Sequence, residues 1–451
     1  MRDDSFFGSV RAAWETTTLG EVCRRGGGFI QTGPFGSQLH AADYVPIGVP
    51  SIMPVNIGDN RISPDGIARI TESDGERLAR HRVKPGDIVY SRRGDVERRA
   101  IIRGKEAGWL CGTGCLLVRL GEGIVDPLFA SYYLGHPVVR EWIVRHAVGA
   151  TMPNLNCEIM GAVPFLLPPM LEQQAIAHIL GTLDDKIELN RRTNETLEEM
   201  ARAVFRSWFV NFDPVRAKAE GRMPEGMDAE TAKLFPDKFE NSPLGPVPKG
   251  WRLMPLPEAI EVNPRRSLSK GVSAPYLDMK NMPTRSARAT TWEMREGGSG
   301  ARFVNGDVLL ARITPCLENG KTAFVDFLAD GQAGWGSTEY IVLRSKQPLP
   351  EEYAYFLARS PELRMFAIQN MTGTSGRQRV PAECFSNFCV VVPPDGLARR
   401  FGNLAKVVIF QMKAHDGESR ALAATRDALL PKLLSGEVQI GDLQSTRKEM
   451  F

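Results

Sequence analysis

The side chains best suited to chemistry in this chain are arginines, amides and hydroxyls that gather at two places in the sequence. The first group follows a basic strand and continues on a later loop: Arg92, Arg93, Arg98, Arg99, Thr151, Asn154 and Asn156. The second group occupies corresponding places in the other half: Arg312, Lys321, Thr374, Arg377, Gln378 and Arg379. Arginine and amide side chains form paired hydrogen bonds with base edges, while other cations bind phosphates. These residue types are candidates for contacts with the bases or phosphates of a nucleic acid.

The charge distribution favours the same interpretation. The chain has a net charge of only +3, but residues 77–105 carry ten basic residues against three acidic ones. Residues 265–321 carry ten basic residues against five acidic ones. Two basic segments in corresponding halves are expected of a phosphate-binding surface, although either one alone could be an ordinary solvated face.

Motifs for phosphate or nuclease chemistry fail on inspection. The sequence ENGKT at 318–322 ends like a phosphate-binding loop, but the first glycine of that motif would fall at Pro315, which lacks the backbone donor. The Asp-x-Lys triplets at 278–280 and 184–186 could suggest a metal-dependent nuclease. Such triplets are common by chance, so they carry little weight.

Motifs for methyl transfer and metal binding are also missing from the sequence. The tripeptide at 213–215 is Asp-Pro-Val and lacks the aromatic residue of an amino-methyltransferase motif, and no glycine-rich turn suits S-adenosylmethionine. Cys111 and Cys115 have no second Cys or His pair nearby at zinc-ligand spacing. We therefore expect a binding and assembly protein, with no catalytic residues, metal or cofactor of its own.

Two long helices are predicted to position the groups described above. Steps of four and three connect Ile176, Leu180, Leu183, Ile187, Asn190, Asn194, Leu197, Ala201, Val204 and Trp208. Adding 225 gives Phe401, Ala405, Val408, Met412, His415, Ser419, Leu422, Arg426, Leu429 and Leu433. Eight of the first ten are apolar in a chain that is 43% hydrophobic, which predicts a helix-pairing seam with a central polar pair in each copy. The spacing does not decide whether the helices run parallel or antiparallel.

The rest of the chain repeats with the helices. Residues 83–94 (VKPGDIVYSRRG) correspond to 303–314 (FVNGDVLLARIT), and Arg119 corresponds to Arg344. In each half, two short helices separated by a proline are followed by a polar loop, an apolar strand and a double proline before the long helix. The sequence predicts an α+β fold in which a globular unit and a long helix occur twice.

This plan gives the expected domains: 1–167, first globular unit; 168–212, first long helix; 213–249, linker; 250–392, second globular unit; 393–440, second long helix; 441–451, polar tail. No apolar run approaches the roughly 18 residues that a membrane span needs. The N-terminal residues do not form a secretory signal pattern, so we expect a cytoplasmic protein without membrane association.

The helical stretch and its flanks also carry a family resemblance. The segment PPMLEQQAIAHILGTLDDKIELNRRTNETLEEMARAVFRSWFVNFDPVRAK closely resembles the central conserved region of the specificity subunits of type I restriction-modification enzymes. LLPKLLSGEV at 429–438 resembles the end of their distal region. Two departures occur in the second copy: Leu397 and Ala398 replace a Glu-Gln pair, and Pro431 is expected to kink or end the helix before Leu433.

The resemblance implies a non-catalytic reader of double-stranded DNA. Each globular unit would be a target recognition domain for one half of a split site. The helices would form an antiparallel coiled coil with a pseudo-twofold axis, acting as spacer and as a dock for methyltransferase subunits. Those partners would bring S-adenosylmethionine, and a restriction subunit would add ATP- and Mg-dependent translocation and cleavage. Two rival interpretations remain: a self-contained nuclease or methyltransferase, and a structural coiled-coil adaptor.

Overall fold

The computed structural model of the protein describes residues 14–149, 152–269, 271–374, 376–435 and 437–438. The chain divides into two compact units. The first comprises Met1–Ile187 with Ala421–Phe451, and the second comprises Glu188–Arg420. The predicted polar tail at 441–451 lies outside the described residues.

Within the described residues, the first unit contains ten strands and five short helices, followed by a long helix. Its strands are β1 (Glu15–Thr18), β2 (Gly27–Thr32), β3 (Tyr44–Ile52), β4 (Asp59–Asn60), β5 (Ala68–Ile70), β6 (Ile88–Ser91), β7 (Arg99–Ile101), β8 (Leu110–Cys111), β9 (Cys115–Gly121) and β10 (Pro164–Leu167). Its helices are α1 (Leu19–Arg25), α2 (Glu72–Arg77), α3 (Pro127–Leu134), α4 (Pro137–His146), α5 (Cys157–Gly161) and α6 (Met170–Phe209), of which α6 continues into the second unit.

The strands of the first unit form three sheets with orders β2-β9-β6-β7-β4, β5-β3-β8 and β1-β10. Strand β6 is buried along its whole length and pairs antiparallel with β9 and with β7. A buried strand in an antiparallel sheet needs apolar residues on both faces, and the run Ile-Val-Tyr supplies them. The main core gathers Tyr90, Phe129, Tyr133 and Phe165 between the sheet and the helices.

The second unit follows the same plan after a connecting segment. The remaining helices are α7 (Asp213–Ala219), α8 (Ala229–Lys233), α9 (Leu256–Ala259), α10 (Tyr353–Ala358), α11 (Pro361–Gln369) and α12 (Asp395–Leu434), of which α12 ends in the first unit. The remaining strands are β11 (Phe239–Ser242), β12 (Gly245–Pro248), β13 (Arg252–Pro255), β14 (Ile260–Val262), β15 (Ser273–Leu277), β16 (Glu293–Glu296), β17 (Arg302–Phe303), β18 (Val308–Ala311), β19 (Thr322–Phe324), β20 (Gly334–Gly336), β21 (Tyr340–Ser345) and β22 (Cys389–Val392).

The sheets of the second unit have orders β14-β21-β18-β19, β16-β15-β20-β17, β13-β22 and β11-β12. Fully buried β18 pairs antiparallel with β19 and β21, as β6 does with β7 and β9. The main core gathers Phe205, Trp251, Tyr355 and Phe401 with many aliphatic side chains. The protein is thus a mixed α/β structure in which both halves use related sheet arrangements.

The predicted repeat is visible in matching turns. Gly86 and Gly306 have φ angles of 90° and 86°, a conformation that glycine adopts without steric cost. The aspartate after each glycine accepts a hydrogen bond from the backbone N–H three residues earlier and pairs with an arginine of the neighbouring strand. Asp87 binds Arg119 at 2.6 Å, and Asp307 binds Arg344 at 3.4 Å. The sequence correspondence of these two segments is therefore confirmed.

The proline breaks have the predicted effect in both halves. Pro137 and Pro361 each occupy the first turn of a helix, where their missing N–H costs no helical hydrogen bond. Ser360 caps its helix through a side-chain oxygen that accepts from the N–H of Leu363 at 3.2 Å. The prediction of two short helices at each place is confirmed.

The segment predicted as a linker, residues 213–249, has secondary structure of its own. It contains α7 and α8 and the hairpin β11–β12, with Val215, Phe235 and Val247 buried. Phe235 packs edge-to-face against Trp208 with ring centroids 5.3 Å apart. The sequence of this segment shows no periodicity because each of its helices and strands is too short. Its few apolar residues are enough to hold it on the core.

Helices α6 and α12 each contain 40 residues. Neither they nor any other helix in the described ranges is long and apolar enough to cross a membrane. Pro431 was predicted to kink or end α12 before Leu433; it does not end the helix, which continues to Leu434. Leu430, Leu433 and Leu434 pack into the core of the first unit, and this burial holds the last turn despite the lost hydrogen bond.

Candidate nucleic-acid interface

In the first unit, three backbone segments meet where β6 ends. The N–H of Arg92 donates to the carbonyl of Gly114 at 2.8 Å, and the N–H of Leu155 donates to the carbonyl of Arg92 at 2.9 Å. The N–H of Gly94 donates to the carbonyl of Pro153 at 3.1 Å. These three hydrogen bonds hold the residues after β6 between the turn before β9 and the loop before α5.

Several of the predicted side chains lie on this first framework. Arg92 is half-buried, with its guanidinium 5.5 Å from the centre of the Phe35 ring and its Nε donating to the carbonyl of Leu155 at 3.2 Å. Arg93 is exposed and forms a backbone bridge with Asn154. The buried Oδ1 of Asn154 has no hydrogen-bond partner among the described residues. Thr151 lies outside the described residues.

The second unit reproduces the same three backbone bonds. The N–H of Arg312 donates to the carbonyl of Glu339 at 3.0 Å, and the N–H of Val380 donates to the carbonyl of Arg312 at 2.8 Å. The N–H of Thr314 donates to the carbonyl of Gln378 at 3.0 Å. We call these two sets of bonds the first and second loop frameworks. Asn154 in the first framework corresponds in position to Arg379 in the second, and Gly114 corresponds to Glu339.

The side chains on the second framework are more strongly charged. Arg379 binds the carboxylate of Glu339 through Nε, with 2.9 Å to each oxygen, and through Nη2 at 2.8 Å. This ion pair raises the pKa of the Arg379 guanidinium, chiefly through the hydrogen bonds to Glu339. Thr374 and Arg377 are exposed, and Gln378 is half-buried. The second framework thus presents three arginines, Arg312, Arg377 and Arg379, where the first presents two arginines and the amide of Asn154.

Four predicted residues lie elsewhere or have local structural contacts. Arg99 was predicted to follow the strand on a loop, but it lies in β7 and is buried, with Nε donating to the carbonyl of Ser131 at 2.7 Å. Arg98 is exposed and pairs with Asp95 at 2.8 Å. Asn156 caps α5, and Lys321 donates to the carbonyl of Met279 at 2.5 Å. Every residue of β7 is buried, so Arg99 is shielded together with Ala100 and Ile101, and the charge of Arg99 gives no sign of this in the sequence.

Sequence reasoning missed Glu339. Glu339 lies in the turn directly before the apolar strand β21, and an acidic residue there looks like an ordinary turn residue. The offset of 225 that relates Arg119 to Arg344 also relates Gly114 to Glu339. An acid that replaces glycine beside an arginine-rich loop was therefore the available signal.

The two long helices contact each other within the first unit through one charged group and several apolar ones. Ile176, Leu180, Leu430 and Leu433 belong to the same buried cluster. Asp184 accepts from Nη1 of Arg426 at 2.6 Å and from the hydroxyl of Tyr132 at 2.6 Å. Burial and the neighbouring carboxylate raise the pKa of the Tyr132 phenol, so it stays protonated as a donor. A charged seam position is thus fully paired.

Within the second unit, the contact between the helices includes a polar layer. The Nδ2 of Asn190 donates to the hydroxyl of Ser419 at 3.2 Å and to Glu418 at 2.8 Å. Asn194 contacts Nδ1 of His415 through Oδ1 at 2.8 Å. The later residue of α6 thus contacts the earlier residue of α12, so the two helices run in opposite directions within this unit.

The polar layer continues into acidic groups that were not predicted. The Nδ2 of Asn194 donates to Asp416 at 3.0 Å, and Asp416 also pairs with the buried Arg288. Burial raises the pKa of the Asp416 carboxyl, although Arg288 opposes that effect. Both asparagines are buried, in agreement with the expected cost of a polar layer that fixes register.

The other predicted seam residues are also buried or half-buried. Buried in the structure are Ile176, Leu180, Phe401 and Met412, while Leu183, Ile187, Leu197, Val408, His415, Ser419 and Leu422 are half-buried. None of these residues is exposed. The stripe of seam residues predicted from the sequence is therefore shielded from solvent in each unit.

Comparison with known proteins identifies the same set of relatives. The family model for the type I restriction modification DNA specificity domain matches residues 12–199. The type I restriction enzyme HindI specificity subunit of Haemophilus influenzae is 24% identical over 441 residues, covering 86% of this chain and 95% of that protein. The EcoEI specificity subunit of Escherichia coli is 31% identical over 169 residues, covering 36% of this chain and 28% of that protein.

A solved structure shares the fold. The crystal structure of the type I restriction-modification S subunit from M. genitalium aligns with a TM-score of 0.52 at 15% identity, covering 95% of this chain and 97% of that one. At this identity the likeness shows the fold alone. The chain carries a type I restriction modification DNA specificity domain over residues 12–199, and it is similar along most of its length to a specificity subunit of a type I restriction enzyme.

Proposed function

We propose that this chain reads a bipartite DNA target, with one half-site bound by each loop framework. The observation that carries the proposal is the duplication of the framework: the same three backbone hydrogen bonds hold two different sets of side chains. A structural adaptor would need no such loops. A reader needs a rigid backbone that presents variable side chains, because hydrogen bonds to base edges specify sequence.

The proposed readers are the exposed or half-buried framework side chains. In the first unit these are Arg92, Arg93 and Asn154, within a recognition domain at 1–167. In the second unit they are Arg312, Thr374, Arg377, Gln378 and Arg379, within a recognition domain at 250–392. Arginine suits guanine and amides suit adenine in the major groove. Arg98 and Lys321 are assigned to phosphate contact or local structure.

Helices α6 and α12 are proposed to form an antiparallel coiled coil that separates the two readers. A 40-residue helix extends about 60 Å at about 1.5 Å per residue. A pseudo-twofold relation between the halves would match the dyad of duplex DNA. The two polar layers, one charged and one amide-based, would fix the register of this spacer.

The same helices are proposed to dock methyltransferase subunits. Leu189, Met200 and Phe410 are exposed apolar side chains on the long helices, and such residues favour a protein partner over water. The partners would supply S-adenosylmethionine and methylate adenine, while a restriction subunit would use ATP and Mg. Because the target is chromosomal DNA, we propose a cytoplasmic location.

The test is a map of methylated bases in cells that express the chain together with its methyltransferase partner. We expect a bipartite motif with a fixed spacer. Arg93→Ala should relax or weaken the first half-site only, and Arg377→Ala the second half-site only. Arg24→Ala is a matched control, since Arg24 is an exposed arginine outside both frameworks. Methyl transfer by the purified chain alone would favour the enzyme alternative, and a complex that methylates without any motif would favour the adaptor.

A further inference from the structure

Arg379 is held by an acidic partner inside the second framework. Its Nε and Nη2 both bind Glu339, at distances between 2.8 and 2.9 Å. The backbone of Arg379 is fixed as well, since it exchanges hydrogen bonds of 2.8 and 2.9 Å with Thr372. The guanidinium plane is therefore set from both its own chain and a neighbouring turn.

The first framework has no equivalent pair. Gly114 stands in place of Glu339 and Asn154 in place of Arg379. The ion pair of Glu339 and Arg379 therefore occurs only in the second framework, which also exposes Arg377. The pair is thus a feature of one reader and not part of the shared backbone scaffold.

Stability of the loop does not require the pair. The Arg379 and Glu339 side chains are 46% and 22% exposed, so solvent screens part of their attraction. The backbone framework already holds the loop in both units, with and without the ion pair. The physical consequence of the contact is that the carboxylate orients the Arg379 guanidinium.

The geometry leaves the reading edge of the guanidinium available. Arginine has five N–H groups, and the contact with Glu339 engages the edge formed by Nε and Nη2. Nη1 makes only a 3.4 Å contact with the carbonyl of Arg377. The adjacent edge, formed by Nη1 and Nη2, presents two parallel N–H groups. This spacing matches O6 and N7 of guanine.

We propose that Glu339 is a positioning residue that fixes Arg379 to read one guanine in the second half-site. This inference rests on the proposed function and deepens it. An arginine without the carboxylate rotates among many rotamers and binds phosphates as readily as bases, so it discriminates poorly. The carboxylate also repels phosphate, which lowers binding to unrelated sequences. Glu339 thereby increases base discrimination more than affinity.

The test uses the full chain in its complex with the methyltransferase partner. Complexes are incubated with a library of duplexes carrying every base at each target position, and methylated products are sequenced. Arg379→Gln should relax a guanine at one position of the second half-site, by roughly 10- to 100-fold, as for a lost bidentate contact. Glu339→Gln should relax the same position by about tenfold, with a smaller change in total methylation, and Glu339→Asp should restore part of the preference.

Two controls separate this effect from misfolding. Glu293→Gln removes a comparable exposed partner, that of Arg295, whose side chains are 54% and 46% exposed, and should leave every position unchanged. Asn154→Ala should alter the first half-site only. Unchanged thermal unfolding of the Glu339 variants shows that they are folded.

The outcomes decide between the proposals. A bipartite wild-type motif in which Glu339→Gln leaves all preferences unchanged overturns the positioning role while leaving the proposed function intact. The same holds if Glu339→Gln raises methylation of all sequences equally, because Glu339 would then act only as a repulsive charge. A wild-type library without a bipartite motif overturns both. Loss of preference at the single position affected by Arg379→Gln supports the inference.

Discussion

The two loop frameworks use the same backbone bonds but carry different side chains. In the second, Arg379 binds Glu339, and the corresponding positions in the first are Asn154 and Gly114. The backbone bonds were kept although the side chains changed from neutral to charged. This comparison teaches that the scaffold and the reading chemistry are separable, because the loops are held by peptide groups that every residue possesses.

The long helices differ between the units in a related way. In the first unit the polar seam contact is a buried ion pair, Asp184 with Arg426, and in the second it is an amide layer around Asn190 and Asn194. In each unit a tyrosine hydroxyl donates to a carboxylate of α6, Tyr132 to Asp184 and Tyr355 to Glu198. The units therefore differ in how charge is compensated where the helices meet.

The largest expected effect comes from charging the apolar part of the seam. Leu180 is fully buried in the first unit, so Leu180→Asp places an unpaired charge in a core and should cost several kcal/mol. Leu189→Asp is the matched control on the same helix, because Leu189 is 57% exposed, and should change the free energy of unfolding by less than about 0.5 kcal/mol. Urea unfolding measures both. Equal losses in the two variants would contradict the seam.

The next effect concerns the ion pair of the first unit. Arg426→Met removes the cation beside the buried Asp184 and should cost about 3–5 kcal/mol, because an uncompensated charge remains in the interior. Arg399→Met changes an exposed arginine on the same helix and serves as control. Unfolding free energies at neutral pH give the comparison. A loss no greater than that of the control would mean that Asp184 does not depend on Arg426.

The amide layer of the second unit should be less costly to break. Asn194→Ala leaves Asp416 and His415 each without one partner and should cost about 1–3 kcal/mol. The exposed Thr196→Ala, on the same helix, should have little effect. The order of the two losses is the sharper test, since Asn194→Ala exceeding Arg426→Met would reverse the comparison between the units.

The smallest effect is a dependence on pH at Glu198. Burial raises the pKa of this carboxyl above its ordinary value of 4.5, even though Tyr355 donates to it. A raised pKa means that the folded state holds the proton more tightly, so stability is greatest below that ordinary value and declines as pH rises through the raised one. Glu198→Gln carries no such charge. Its midpoint of thermal unfolding should therefore gain on the wild type as pH increases from about 4.5 toward neutral.

The measurement is a series of thermal unfolding curves of both proteins across that pH range. A difference between the two midpoints that is independent of pH, or that shrinks as pH rises, would contradict the assignment.

The sequence predicted what depends on periodicity and duplication. The Gly-Asp turns, the pairs of short helices separated by proline and the buried asparagines follow from spacing, because each rests on local geometry or on one stripe of a helix. The linker elements and the course of α12 past Pro431 did not follow, since both depend on burial of a few residues by distant parts of the chain. Propensity rules are weakest where tertiary packing overrides them.

The candidate site was predicted only in part. The frameworks lie where the arginine- and amide-rich loops were expected, but the burial of Arg99 depends on packing around the whole of β7, and the capping role of Asn156 depends on where α5 begins. The Glu339–Arg379 contact joins residues 40 positions apart, so no local pattern indicates it. Partners across a fold become visible in sequence only through a repeat such as the one that aligns Gly114 with Glu339.

The most direct test of two separate readers is an exchange of residues 250–392 for the same region of a relative. Methylated bases are mapped in cells that carry the chimera and its methyltransferase partner. We predict that the second half-site changes while the first half-site and the spacer length stay as in the wild type, because the first framework and both long helices are untouched. A chimera that changes both half-sites, or that leaves both unchanged, would contradict the account.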